Sequence, residues 1–350
     1  MNDTANAIEA LRQRLGSRLC IMGHHYENDA IIRHCDFVGD SLELSRRVPG
    51  VDAEYIVFCG VSFMGESAAL LAKDGQKVLM PAPEADCQMA LMSKAAMVRL
   101  VLGQLAERGL TFLPLAYVNT DVPLKAVVGE FGGAVCTSAN AQVMMRWAFD
   151  RAEHVLFIPD KHLGRNTAKQ LGMTENDWHV LALDEKGIAD PAAQPLSRRL
   201  LLWPGYCPIH AAYTPAMLDA VRAAHPGCRV TVHPEADPAV VERCDGAGST
   251  SFLIKDAARM AGEKGKQVLV VGTELNLVHR LTARHKDGCV IVPLSEAEEA
   301  LCPDMAKVTP DRLLACIEGI EKGTATPVVL DKADREPAKL SLTRMLEACR

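Results

Sequence analysis

Nine short apolar runs, each closed by Gly, Pro, Asn or Asp and followed by residues at helical spacing, recur along this chain in groups of three. The first group is "RLCIMG", "YIVFCG" and "KVLMPA"; the second is "TFLPLAYV", "HVLFIP" and "RLLLWPG"; the third is "RVTVHP", "QVLVVG" and "CVIVPL". Strands joined through helices run parallel, and a parallel sheet needs helices on both faces to bury it. The pattern therefore predicts an α/β chain of three similar three-layer αβα domains with parallel sheets, arranged with pseudo-threefold symmetry. A length of 350 residues suits units of about 100 residues each. Their expected bounds are 1–97 with an N-terminal helix, 98–215 and 216–325. The tail, 326–350, reads as a strand or loop and a final helix.

Charge and hydropathy narrow the partners. A formal net charge of -6 gives no field to attract nucleic acid or an anionic membrane. No stretch approaches the roughly 20 apolar residues of a membrane span, and the first residues read as an amphipathic helix rather than a signal peptide. The expected location is the cytoplasm and the expected partner a small molecule. Twelve cysteines in that compartment stay reduced, which argues against a disulfide framework.

The three groups share more than strands. The first strand of each ends in polar residues: "GHHYEND" from Gly23, "AYVNTD" from Ala116 and "HPEAD" from His233. Some 14 to 19 residues later a Ser/Thr cluster opens a helix, at "GDSLELS", "CTSANA" and "GSTSFLI". The last strand runs into a loop with one cysteine, namely Cys87, Cys207 or Cys302, and these lie 120 and 95 residues apart. That spacing follows the repeat and not a local CxxC motif. Parallel sheets present ligands at the carboxyl ends of their strands, so the repeat would bring these loops to one cavity.

Taken singly, each residue has a plainer reading. A free cysteine packs in cores, serine before a helix is a cap, a buried tyrosine has a satisfied hydroxyl, and a lone histidine is a hydrogen-bonded structural residue. Cys20, Cys59 and Cys289, in or beside strands, keep that reading, while Cys136 borders the expected pocket. Three cysteines at equivalent places are different. Three thiolates without a fourth do not make a closed zinc site. They suit a 4Fe-4S cluster with one iron open, which acts as a Lewis acid. Helix starts at Ser41, Ser138 and Ser249 with Thr250 would bind carboxylate or phosphate, and His24, Tyr26, His233 and Glu235 would serve as acids and bases.

The series "GHHYEN", "GDSLEL", "CGVSFMGESA", "PEADCQMA", "YVNTDVPLKA", "CTSANA", "PDKHLG", "GYCPIH", "HPEAD", "GSTS", "GTELNLVHRL" and "CPDM" resembles the quinolinate synthase family over residues 16 to 320. The resemblance implies condensation of iminoaspartate with dihydroxyacetone phosphate to quinolinate, with loss of phosphate and water, in NAD biosynthesis. It implies an oxygen-sensitive 4Fe-4S cluster on Cys87, Cys207 and Cys302. Catalysis would fall to His24, Tyr26, His233 and Glu235, and substrate binding to Ser41, Tyr117, Asn119, Ser138, Ser249 and Thr250. An aspartate-oxidising enzyme would supply the labile iminoaspartate, through transient contact. Two departures stand out. Glu27 occupies a place where many relatives carry Gln, adding a charge near an anionic substrate, and no CxxC surrounds Cys302.

Two other readings of the residues stay open. A clusterless sugar-phosphate isomerase or aldolase would use a Schiff-base lysine such as Lys125 or Lys161. A non-catalytic iron-sulfur sensor would need no cavity for a dicarboxylate.

Overall fold

The computed structural model describes residues 3–263, 265 and 267–349. All nine apolar runs are strands. Leu19–His24 (β1), Phe37–Gly39 (β2), Tyr55–Cys59 (β3) and Lys77–Leu79 (β4) form a parallel sheet in the order β2-β1-β3-β4. Phe112–Tyr117 (β5), Ala134–Cys136 (β6) and His154–Ile158 (β7) open the second sheet. Trp178–Val180 (β8), Leu183–Asp184 (β9), Gly187–Ile188 (β10) and Leu200–Leu202 (β11) follow, giving the order β6-β5-β7-β11-β8, with β9 and β10 apart as a small hairpin. Arg229–Val232 (β12), Gly246–Ala247 (β13), Gln267–Gly272 (β14) and Cys289–Pro293 (β15) form the third, in the order β13-β12-β14-β15. The order of the first sheet thus recurs in all three, with β8 added to the second.

The first and third sheets each gained one strand over the sequence reading, β2 and β13, and the second gained two, β6 and β8. They are two or three residues long and lie at an edge, too short to carry a period of two.

The third sheet shows the layering most clearly. Leu269 and Val271 of β14 pack with Leu253, Leu277 and Leu281 on one face, while Val270 packs with Leu218 and Val240 on the other. Alternate residues thus enter two separate cores, as a strand period of two requires. The α/β expectation with parallel, helix-covered sheets is borne out.

Two helices tie the units together. Pro310–Lys322, inside the stretch expected for the third unit, packs on the N-terminal helix Asp3–Leu15 and on β3. The tail forms the helix Lys332–Ala348, docked on Val122–Glu130 and β6 of the second sheet. Gly129 permits that approach, since a Cβ there would stand 1.9 Å from the Pro337 carbonyl oxygen. Arg344 then donates from Nη1 to the carbonyls of Gly129 and Gly133, at 3.1 and 2.6 Å. No described helix is long and apolar enough to cross a membrane.

Candidate active site

In a sheet of this order the chain leaves β1 toward one side and returns on the other, so a crevice opens at the carboxyl ends of the first and third strands. The three crevices contribute to one cavity. His24 and Tyr26 enter from the end of β1, Tyr117 and Asn119 from β5, and His233 and Glu235 from β12. Ser41, Ser138 and Thr250 line it from the segments after the edge strands, and Cys87, Cys207 and Cys302 from the loops after the last strands. Ser249 is the exception among the residues expected here. It lies outside the lining and caps the helix Thr250–Gly262, its hydroxyl accepting from the Phe252 N–H at 3.4 Å.

Two other helix starts also differ from expectation. Asp40, not Ser41, caps Ser41–Arg47, accepting from the N–H groups of Leu42 and Glu43 in a capping box, which frees the Ser41 hydroxyl. Ser138 precedes its helix, Ala141–Phe149, because Asn140 Oδ1 accepts from Thr137 N at 2.6 Å and folds the segment into a turn. Cys136, expected at the border of the pocket, is fully buried and outside its lining.

The three cysteines occupy the same local turn. Cys87 and Cys207 precede the four-residue helices Gln88–Leu91 and Pro208–Ala211, with φ/ψ of -84/118° and -83/117°. The carbonyls of Cys87, Cys207 and Cys302 each accept from the N–H four residues on, at Leu91, Ala211 and Ala306, over 3.0 to 3.1 Å. Burial pushes the Cys87 thiol up to about 12 and Cys302 to about 11, and also raises Cys207 well above its usual value. No protein charge prepares these sulfurs as thiolates, and a cation bound among them would reverse that preference.

Three sulfurs from three loops around one cavity match the donor set of an iron-sulfur cluster with one iron free of protein ligands. A smaller group exists too: single donor atoms of Cys207, His210 and Glu235 lie within 4.8 Å of one another. As a mononuclear site it is the poorer fit. His210 Nδ1 and Glu235 Oε2 already face each other at 2.7 Å in a hydrogen bond, and Cys87 and Cys302 would have no task.

Opposed electrostatic environments sit side by side here. Burial lowers His24 and His233 to about 3, so both are neutral imidazoles. Burial alone would raise Glu235, but the facing imidazoles of His233 and His210 and hydrogen bonds from His210 and Tyr117 outweigh it, and the carboxylate stays ionised. Burial raises the phenols of Tyr26 and Tyr117 well above the usual value, with the Glu235 charge adding to this, so both keep their protons. His233 Nε2 stands 3.2 Å from Ser138 Oγ, and the ring stacks on His210 at 4.4 Å.

The sequence reading did not single out Thr273 and Glu274, which follow β14. Glu274 lines the cavity, caps the helix Leu275–His285 and accepts from the Cys302 N–H at 3.4 Å. A signal existed, since Asp160 holds the same place after β7 and likewise caps its helix.

Glu27 is placed otherwise than its motif suggested. It is fully buried, outside the cavity lining, and neither carboxylate oxygen has a partner. Burial, then Cys35 and Glu274, push it up to about 9, so it is neutral at pH 7 and adds no charge toward the substrate. A carboxyl raised from 4.5 in the unfolded chain costs stability as pH climbs through that window, roughly 1.4 kcal/mol per unit. Glu27→Gln should therefore match wild type in thermal unfolding near pH 5 and exceed it clearly at pH 8. An equal difference at both pH values would show that the carboxyl does not titrate there.

An α/β cavity lined by three cysteines, a buried carboxylate and buried imidazoles has the donor groups with which an enzyme site holds a metal. Residues 6–347 match the family model described as Quinolinate synthetase A protein. The chain is 38% identical to the quinolinate synthase of Acidobacterium capsulatum, over 97% of this chain and 91% of that one. It is 39% identical to that of Halobacterium salinarum, over 97% and 90%, and 40% identical to that of Bacillus pumilus, over 96% and 90%. The chain belongs to the quinolinate synthase family, enzymes of NAD biosynthesis.

Proposed function

We propose that the chain condenses iminoaspartate with dihydroxyacetone phosphate to give quinolinate, phosphate and water, with a 4Fe-4S cluster held by Cys87, Cys207 and Cys302. The observation that carries this reading is the placement of those three cysteines, one from each repeat, in a cavity shared with Tyr26 and Glu235. When bound, such a cluster supplies one iron as a Lewis acid for a substrate oxygen.

The remaining work belongs to side chains. The hydroxyls of Ser41, Ser138, Thr250 and Tyr117 donate to the carboxylates and phosphate, and Ser249 fixes the helix start that presents Thr250. Asn119 orients the substrate, its buried Oδ1 having no protein partner. Eliminating water requires a proton removed at one atom and delivered at another. Glu235, ionised, and Tyr26, protonated, are the pair for this exchange, while neutral His24 and His233 hydrogen-bond the substrate.

The reaction belongs in the cytoplasm, away from oxygen, and an aspartate-oxidising enzyme in transient contact would deliver iminoaspartate before it hydrolyses. We place the domain bounds near 97, 215 and 325, with the helix Pro310–Lys322 crossing back from the third unit to pack on the first, and a pseudo-threefold axis through the cavity. Anaerobic assay of the reconstituted chain with both substrates tests the activity. Quinolinate and phosphate should form in equal amounts. A cluster-loaded chain that releases neither would refute it.

A further inference from the structure

Resting on that reading, we propose that Asn166, in a helix of the second unit, is the positioning residue for Glu235 in the third. Its carboxamide holds the backbone on either side of Glu235 and so sets where the carboxylate stands against substrate. Asn166 Nδ2 donates to the carbonyl of Pro234 at 2.8 Å and to that of Ala236 at 2.9 Å. An amide nitrogen carries two protons, and both are used on the two residues that flank Glu235. Asn166 is 2% exposed and Ala236 is fully buried, so the bonds form away from water.

The backbone around Glu235 is otherwise held only by its own neighbours. Residues 233–236 form a turn in which the Ala236 N–H donates to the His233 carbonyl at 3.0 Å, with Pro234 second and Glu235 third. The Glu235 N–H meets His233 Nδ1 at 3.4 Å. These contacts shape the turn without fixing its backbone against the other units.

That tie comes from the helix Lys161–Gln170, on which His162, Asn166 and Lys169 are spaced to share one face. His162 Nδ1 stands 3.8 Å from Asp237 Oδ2, and Lys169 pairs with Glu242. Asn166 is the member of the three that binds backbone, and it does so beside Glu235. The helix starts from its Asp160 cap just after β7, and β7 pairs with β5, which ends in Tyr117 and leads to Asn119. Asn166 therefore sets Glu235 relative to the substrate-binding residues of the second unit. Proton transfer needs its partners at hydrogen-bond distance, and a misplacement of about 1 Å can cost about 10²-fold.

The test compares Asn166→Leu, close to asparagine in size but without a donor, with wild type, Glu235→Gln and the double variant, all anaerobically reconstituted and matched for iron content. Asn166→Leu should lower kcat by about 10- to 100-fold and leave KM within about twofold. In the Glu235→Gln background the same change should cost less than about threefold, because the group it misplaces is already gone. An equal factor in both backgrounds, as a purely structural role predicts, would overturn the proposal, and so would an unaltered kcat. If Asn166→Leu does not fold, Asn166→Ser carries the same cycle with the same pattern expected, since one hydroxyl cannot serve both carbonyls. Backbone deuterium exchange over residues 233–237 reads the anchor without turnover. It should quicken in Asn166→Leu and keep the wild-type rate in Lys169→Ala, which breaks only the neighbouring ion pair. Wild-type exchange in Asn166→Leu would overturn the anchor. Quickened exchange alongside a wild type that forms no quinolinate would support the anchor and remove the assigned reaction instead.

Discussion

Cys87→Ala, Cys207→Ala and Cys302→Ala should each yield a folded chain that lacks the visible absorption of an iron-sulfur cluster and forms no quinolinate. The effect is all or nothing because each cysteine is the one its repeat contributes to the cavity. Cys136, Cys20 and Cys59, the neighbours in sequence with a comparable thiol, are buried in or beside strands and absent from the lining. Folding should survive. Each cysteine is half-buried in a short loop at the mouth of a sheet, at the edge of the core, so its removal leaves a small cavity. Circular dichroism and thermal unfolding of the cluster-free chains should resemble those of cluster-free wild type, while iron and absorbance separate the variants from it. Cys136→Ala makes the matching control, with its cluster retained.

Glu235→Gln should keep the cluster and lower kcat by about 10²- to 10⁴-fold, the usual range for a lost acid-base group. Glutamine preserves volume and can still meet His210 and Tyr117, but it neither takes a proton nor carries charge. The carboxylate is 3% exposed and held ionised against its burial by the imidazoles and hydrogen bonds around it. Since its pKa lies below the usual carboxylate range, wild type should show no acidic limb from this group near pH 5. His24 and His233, at about 3, add none either. A glutamine variant with unaltered kcat would remove Glu235 from the proton chemistry and leave it a binding residue.

Much of the fold was legible because the central strands are long apolar runs with hard punctuation. What stayed hidden was short or distant. β13 has two residues, and the docking partner of the helix Pro310–Lys322 lies some 300 residues away at the N-terminus, a pairing no local period encodes. The site was legible where a repeated position carried an unusual residue, as with the three cysteines. Ser249 was misplaced because capping and ligand contact call for the same residue type. Asp40 was readable as a cap from the Asp40 and Glu43 pair, yet the adjacent serine drew attention from it. Thr273 was missed because threonine after a strand is commonplace, and its hydrogen bonds arise only when Tyr26 and His210 converge on it from other units. The buried, neutral state of Glu27 likewise depends on packing that the motif around it does not reveal.

The proposed activity depends on the cluster, so iron and acid-labile sulfide per chain in anaerobically reconstituted wild type test it most directly. The prediction is about four of each with a broad brown absorption, as a 4Fe-4S centre requires. A colourless, iron-free chain that still forms quinolinate would contradict it, and the three cysteines would then need another explanation.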